Sequence, residues 1–174
     1  PYTTLFRSDF ANRNYEHVVY LDFHEHKEYK TFFASALDVD TLTLAISAGM
    51  RGTRFVEGKT CLVLDEIQEC PRAITSLKYF CENMSKLHVV CAGSLLGVAL
   101  KEEHISFPVG KVNRMQLYPM SFKEFVIASG REDLIDTFKD WPADRVIPEL
   151  YSEPMKKLLN EYYVVGGMPE AVNV

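Results

Sequence analysis

The chain lacks several features that would assign it to a specialised class of protein. No hydrophobic run among its 174 residues approaches the roughly 20 residues that a membrane-spanning helix needs. Its net charge of −5 gives no general reason to expect nucleic-acid binding, although a local basic patch stays open. With 47% hydrophobic and 25% charged residues, the composition is typical of a soluble globular domain and argues against disorder.

Cysteine is present, but not in a metal-binding pattern. Cys61, Cys70, Cys81 and Cys91 are spaced too widely along the chain to form the closely spaced cysteine pairs of a zinc knuckle. Cys61 and Cys91 lie in hydrophobic runs, so we interpret them as buried, reduced thiols. Nothing in the sequence suggests a partner that would activate a thiol for catalysis. Reduced cysteines fit a cytoplasmic protein better than a secreted one, and we expect a cytoplasmic location.

The first eight residues, 1–8, show no hydrophobic periodicity and lead into no recognisable element. The codons CCC TAC ACG ACG CTC TTC CGA TCT encode them, and this DNA matches the end of a common sequencing adaptor. A native amino-terminal strand is the alternative, because tyrosine, threonine and phenylalanine favour β structure. We expect residues 1–8 to be non-native and the native sequence to begin near Asp9, with upstream sequence lost.

Short hydrophobic runs alternate with helical patterns along the chain. The run at 17–23 predicts a strand buried on both faces, as in a parallel sheet. The run at 60–64 predicts a second buried strand, and 87–92 predicts a third strand. Residues 31–49 and 71–84 have helical spacing, and Asp38 or Asp40 is a candidate cap within the first of these. The alternation predicts an α/β fold.

The second half of the chain predicts further helices and one more strand. Residues 95–101 favour a helix, 111–117 a strand, and Ser121 to Glu124 forms a capping box for a helix that Gly130 can close. The tail is helical, with one face expected to carry five large side chains: Met155, Leu158, Leu159, Tyr162 and Tyr163.

An acidic pair, Asp65-Glu66, ends the second predicted strand. Ligands of open parallel sheets bind beyond the carboxyl ends of the strands. There an aspartate can hold the Mg²⁺ that bridges nucleotide phosphates, and an adjacent glutamate can orient or deprotonate the attacking water. Hydrophobic residues followed by Asp-Glu form the Walker B pattern of P-loop ATPases. A polar strand end that turns into solvent is the alternative.

The surroundings of this pair contain one expected feature and lack another. Ala92-Gly93-Ser94 ends the next strand and places a small polar residue beside the pair, at the position called sensor 1 in P-loop ATPases. The phosphate-binding sequence G-x-x-x-x-G-K-[ST] occurs nowhere in the chain. Loss of upstream sequence explains this absence without a degenerate enzyme.

Five motifs follow one another in an order that resembles a known family. They are Leu62 to Gln68 with its Asp-Glu-Ile-Gln, Ala92 to Leu96, Phe107 to Lys111, Leu117 to Phe125, and Tyr163 to Glu170. Together they resemble the AAA+-like prokaryotic P-loop ATPases whose ATPase core precedes a C-terminal domain of unknown function.

The resemblance implies a fold and a set of roles. It implies a parallel-sheet P-loop NTPase core at residues 9–130, missing its first strand and phosphate loop, and a helical lid region at 131–174. ATP and Mg²⁺ are the implied ligands, with Asp65 on the metal, Glu66 catalytic and Ser94 sensor-like. Lys111 stands where family members usually carry arginine and is a candidate for contact with the nucleotide; Arg114 is a second candidate cation.

The implied function is that of an ATP-binding and ATP-hydrolysing switch, which in this fragment is expected to be inactive alone. Its implied partners are the missing C-terminal domain and further copies of the chain. Two alternatives stay open: a regulatory or interaction module that does not hydrolyse ATP, and an ATPase coupled to DNA handling. A metal site at His24-Glu25-His26 is a weaker hypothesis, because no third ligand is near in sequence.

Loss of the phosphate-loop strand should leave an unpaired hydrophobic edge on the sheet, which favours aggregation. We therefore expect this polypeptide alone to be poorly soluble or only partly folded. A thermal melt of the purified monomer tests the expectation, and a sharp two-state transition would contradict it.

Overall fold

The computed structural model describes residues 2–93, 108–142 and 144–172. These residues pack as two compact units, one ending at Arg114 and the other beginning at Met115. In the described part of the chain no helix combines the length and hydrophobicity needed to cross a membrane.

The first unit is a three-stranded parallel sheet with helices packed against it. The strands are β1 (His17–Asp22), β2 (Thr60–Asp65) and β3 (His88–Cys91), in the order β1-β2-β3. The helices are α1 (Tyr2–Asn14), α2 (Val39–Gly49) and α3 (Pro71–Asn83), with short 3₁₀ turns at Lys27–Phe33 and Ile67–Glu69. The predicted α/β class and parallel sheet are confirmed.

Strand β2 is the centre of this unit, and all six of its residues are buried. In β1, Val19 and Leu21 are buried, but the other four residues, including Tyr20 between them, are only partly buried. The prediction of burial on both faces is therefore right for β2 and wrong for β1. The reason is position, because β1 has one strand neighbour among the described residues and β2 has two.

The two faces of β2 pack against different helices. Leu62 and Leu64 point into the larger core with side chains from α2 and α3, such as Ile46 and Ile74. Val63 points to the other face, where it packs with Ala11 of α1 and Cys61. Full burial of each large aliphatic side chain contributes about 1.5–3 kcal/mol, so β2 is held mainly by hydrophobic contacts on both sides.

Sequence signals at helix ends are confirmed in detail. Asp38 is the cap of α2, because its side chain accepts a hydrogen bond of 2.9 Å from the backbone N–H of Thr41. Asp40 lies inside the first turn instead. Pro71 begins α3, where the absence of its N–H removes no helical hydrogen bond.

Other expectations for the first 120 residues differ from the structure. Residues 1–8 were expected to lead into no element, but helix α1 begins at Tyr2. Among the side chains of α1 that the structure describes, Ala11 packs against the sheet, and it is too small to produce a hydrophobic period. The strand expected at 111–117 is absent, since those residues form a turn and irregular chain. The helix expected at 95–101 lies outside the described residues.

The described residues of the second unit form four helices around a small core. They are α4 (Phe122–Ala128), α5 (Glu132–Phe138), α6 (Glu149–Val165) and α7 (Pro169–Val172). Leu158 of α6 is buried with Phe125, Val126 and Leu134. Met155 and Tyr162 pack against this cluster as predicted, but Tyr163 is 74% exposed. Each residue turns about 100° around a helix, which moves Tyr163 off the stripe that Tyr162 occupies.

Two motifs that lie far apart in sequence meet in the second unit. The backbone N–H of Met120 donates to the carbonyl of Gly167 at 2.7 Å, and the hydroxyl of Tyr162 donates to the carbonyl of Met120 at 2.8 Å. A Cβ atom on residue 167 would overlap the backbone of Met120, so this approach requires glycine. The motif at Leu117 to Phe125 and the motif at Tyr163 to Glu170 are thus in contact with each other through Met120 and Gly167.

The four cysteines differ in exposure. Cys61 and Cys70 are buried, Cys91 is half-buried and Cys81 is exposed, and all are free thiols. Burial raises the pKa of Cys61 to about 11, and it also raises the pKa of Cys70 and Cys91. The interpretation as a buried thiol is confirmed for Cys61, whereas Cys91, interpreted in the same way, is only half-buried because β3 has one strand neighbour among the described residues.

Replacing Ser121 with alanine should destabilise the second unit by about 1 kcal/mol, because Ser121 and Glu124 form a complete capping box at α4. Urea unfolding and amide hydrogen exchange at Glu124 measure the effect. The matched control is Ser129→Ala at the opposite end of α4, where the hydroxyl caps no amino-terminal amide. Equal destabilisation by both substitutions would contradict the prediction.

Candidate functional site

The acidic pair lies where two parallel strands end at the same level. Asp22, the last residue of β1, is in register with Asp65, the last residue of β2. The backbone N–H of Phe23 donates to the carbonyl of Asp65 at 3.2 Å, which holds the two chain ends together. This is the carboxyl edge of the sheet, the edge at which open parallel sheets bind ligands.

Asp65 is held at both carboxylate oxygens. It is 1% exposed, and its Oδ1 accepts a hydrogen bond of 2.9 Å from the backbone N–H of Glu66. Its Oδ2 accepts a hydrogen bond from the hydroxyl of Tyr20. Tyr20 is in register with Val63, so it shares a face with Asp65 two residues farther along. A buried carboxylate with both oxygens bonded has a fixed orientation, as a metal ligand requires.

Glu66 has an unusual backbone. Its φ of +48° and ψ of +45° are left-handed, and among the described residues it is the one non-glycine position with positive φ. Such a conformation costs about 1–3 kcal/mol and persists only where the surroundings impose it. Here Ile67 imposes it, because its side chain is buried and its N–H donates to the carbonyl of Ala92 at 3.0 Å. Glu66 itself is half-buried.

The side chain of Glu66 is also held. The Nε2 of Gln68 donates to Glu66 Oε2 at 2.6 Å, and Gln68 lies in the 3₁₀ turn that follows β2. The two carboxylates therefore differ in environment. Asp65 is buried and oriented by β1, whereas Glu66 is half-buried and oriented by the turn after β2.

The structure does not bring every predicted site residue to this edge. Lys111 pairs with Glu82 at 3.2 Å, and Glu82 lies in the last turn of α3. Helix α3 starts near the acidic pair and runs back, so its last turn is about 16 Å from its start. Lys111 thus lies toward the amino edge of the sheet, and its role toward a nucleotide stays a prediction. Ser94 is outside the described residues.

An ion-pair network borders the acidic pair. Glu69 accepts from His24 Nδ1 at 2.6 Å through one oxygen and from Lys30 Nζ at 2.9 Å through the other. The hydrogen bond to Glu69 raises the pKa of His24, and the nearby charges of Asp22 and Glu66 act in the same direction. Lys30 first, and then His24, lower the pKa of Glu69.

The pairing of His24 with Glu69 also bears on the metal hypothesis at His24-Glu25-His26. His26 lies beside Glu28 instead, at 3.2 Å. Across the described ranges, no three histidine, cysteine, aspartate or glutamate side chains come together as a metal site.

Several residues at the edge were not assigned a role from the sequence. In the sequence, Tyr20 is not distinguished from the other hydrophobic residues of its strand, because its only polar side-chain group is the hydroxyl at the tip of the ring. Lys30 and Glu69 are 39 positions apart in the chain, and no local pattern links them. Gln68 was part of the family resemblance through Asp-Glu-Ile-Gln, but the spacing alone did not indicate a contact with Glu66.

The donor atoms at the edge fit Mg²⁺. That ion prefers oxygen ligands, keeps several waters and is usually held by one or two carboxylates together with substrate phosphates. Asp65 supplies such a carboxylate without a cluster of further protein ligands. The sequence holds no phosphate-binding loop, so this chain's residues fit the metal and water side of a nucleotide site and not its phosphate cradle.

His24 should titrate above its usual pKa of 6.5, and Glu69→Gln should lower that pKa toward 6.5. Protonated His24 pairs with ionised Glu69, so the pair stabilises the fold fully below about pH 6.5 and loses this effect as the pH rises through the folded-state pKa. A proton NMR titration of the imidazole measures both values. An unchanged His24 pKa in Glu69→Gln would contradict the assignment, and Glu28→Gln, which removes the partner of His26, is the control.

A family model described as AAA domain matches residues 3–126, which include the whole sheet and the acidic pair. No curated protein and no solved structure matches the chain. AAA domains are P-loop ATPase domains that bind nucleotides, and the α/β fold with its parallel sheet agrees with that class. Because the match covers most of the chain, this protein belongs to the AAA domain family of P-loop ATPases.

Proposed function

We propose that the chain is the metal- and water-handling part of an ATP-hydrolysing AAA+-like switch. The observation that carries the proposal is the pair of oriented carboxylates at the carboxyl edge of a parallel sheet, Asp65 buried and Glu66 beside it. Family membership supports nucleotide binding in general terms.

Each carboxylate suits a different task. Asp65 presents a fixed, ionisable oxygen pair and would hold Mg²⁺, which when bound neutralises charge on the nucleotide phosphates. Glu66 is more accessible and would orient a water molecule and accept its proton. The two carboxylates have different side-chain donors, because Tyr20 donates to Asp65 and Gln68 donates to Glu66.

We propose that the phosphate cradle precedes Asp9 in a longer polypeptide. We propose further that its strand pairs with the side of β3 away from β2, where the described residues supply no strand. Three of the four residues of β3 are only partly buried and the fourth is exposed, unlike the fully buried β2, which is what an edge awaiting a neighbour shows. The lid role of residues 131–174, self-association and a cytoplasmic location belong to the same proposal.

The proposal is tested by sequencing the source DNA upstream of Asp9 and expressing the longer polypeptide. A phosphate-binding loop some tens of residues upstream, with Mg²⁺-dependent release of phosphate from ATP, is the expected result. A start codon just before Pro1 with no such loop would overturn the enzyme function and favour a relative that does not hydrolyse ATP.

In the longer polypeptide, Glu66→Gln should lower kcat by about 100- to 10,000-fold, because the amide cannot accept the proton of water. Binding of ATP should change little, and a fluorescent nucleotide analogue measures it. Glu161→Gln on the exposed surface of α6 is the matched control and should leave kcat unchanged. Full activity in Glu66→Gln would remove Glu66 from the catalytic role.

A further inference from the structure

The side-chain amide of Gln68 makes a hydrogen bond through its nitrogen but not through its oxygen. Its Nε2 donates to Glu66 Oε2 at 2.6 Å, while its Oε1 is fully buried and receives no hydrogen bond from any described residue. The neighbour of Oε1 is Gly93, two residues after the end of β3. The amide therefore spans the space between the catalytic candidate Glu66 and the end of the neighbouring strand.

Chemistry fixes which way this amide faces. A carboxylate only accepts hydrogen bonds, so the atom of Gln68 that lies 2.6 Å from Glu66 must be the donor Nε2. Reversing the amide would place two acceptors against each other. The carbonyl Oε1 is consequently the buried atom, and the contact with Glu66 sets the orientation of the whole group.

Gly93 is what makes room for the amide. A Cβ atom on residue 93 would overlap Gln68 Oε1, so any other residue there would displace the side chain. The 3₁₀ turn that contains Gln68 is held by Ile67 as well, because Ile67 is buried and its N–H donates to the carbonyl of Ala92. Gln68 is thus confined on one side by β3 and on the other by Glu66.

We propose that Gln68 is a positioning residue for Glu66, holding Oε2 so that Oε1 of Glu66 is the oxygen left to bind water. Gly93 is the position that permits it. This inference rests on the proposed ATPase function for its catalytic consequence, but the contact itself does not depend on that function. Tyr20 performs the equivalent task for Asp65 through a separate side-chain hydrogen bond.

The contact can be measured in this chain without activity. Gln68 and Gln116 are its two glutamines, so selective labelling of glutamine side-chain amides gives two NMR signal pairs, and the exposed Gln116 serves as the internal reference. The Gln68 pair should lie downfield of the reference in the parent chain. Glu66→Ala and Gly93→Ala should each shift it, while Glu69→Ala, which changes the next residue of the same turn, should not.

If the backbone amide signals of the parent chain are dispersed as in a folded protein, coinciding signals of Gln68 and Gln116 would overturn the proposal. A Gln68 signal that does not respond to Glu66→Ala would also overturn it. The kinetic arm uses the longer, ATP-hydrolysing polypeptide. There Gln68→Met should lower kcat by about 10- to 100-fold at unchanged KM for ATP, a size common for residues that orient catalytic groups. Gln116→Met is the control, and should have no effect.

The two proposals fail differently. Absence of hydrolysis in the longer polypeptide would end the proposed function and leave the NMR result to decide the contact. Hydrolysis that Gln68→Met does not impair would end the positioning role alone. Adding Gln68→Met to Glu66→Gln should cause no further loss of kcat, because the amide acts through the carboxylate. A further loss would show that Gln68 acts by another route.

Discussion

Complete burial of β2 constrains the rest of the first unit. A strand with hydrophobic side chains on both faces needs a covering layer on each side, and here α2 and α3 supply one and α1 the other. Its backbone groups also need partners on both edges, which β1 and β3 provide. Because β2 is held on both faces and at both edges, the position of its last residue, Asp65, is also fixed.

The placement of charge at this edge follows from the same constraint. A carboxylate at the end of a buried strand loses contact with water, so it must find donors within the protein. Asp65 finds them in the backbone of Glu66 and in Tyr20. The adjacent Glu66 escapes full burial because its left-handed backbone turns the chain away from the strand direction. The two adjacent acidic residues, Asp65 and Glu66, therefore have different surroundings. This difference is the basis for proposing different roles for them.

Much of this could be predicted from the sequence, and the exceptions have physical causes. The three strands and the capped helices were found because burial and capping leave local patterns in residues such as Leu62, Asp38 and Ser121. Helix α1 was missed because Ala11, its contact with the sheet, is too small to create a hydrophobic period. The contact between Met120 and Gly167 depends on tertiary packing, which leaves no local signal beyond a glycine.

Part of the candidate site could also be predicted from the sequence, and part could not. Asp65 and Glu66 were found from adjacent residues at a strand end, whereas the groups that hold them come from other parts of the fold. Lys111 was selected by resemblance, and its pairing with Glu82 depends on how far α3 runs back along the sheet.

The contrast among the four thiols has a practical consequence. Thiol reagents attack the thiolate, and burial disfavours that form at Cys61, Cys70 and Cys91. Cys81 is exposed on α3, one residue before the Glu82 that pairs with Lys111. A maleimide dye at neutral pH would therefore attach chiefly at Cys81. The native sequence thus already carries a single fluorophore attachment point on the helix that follows the acidic pair, with no cysteine to engineer in or out.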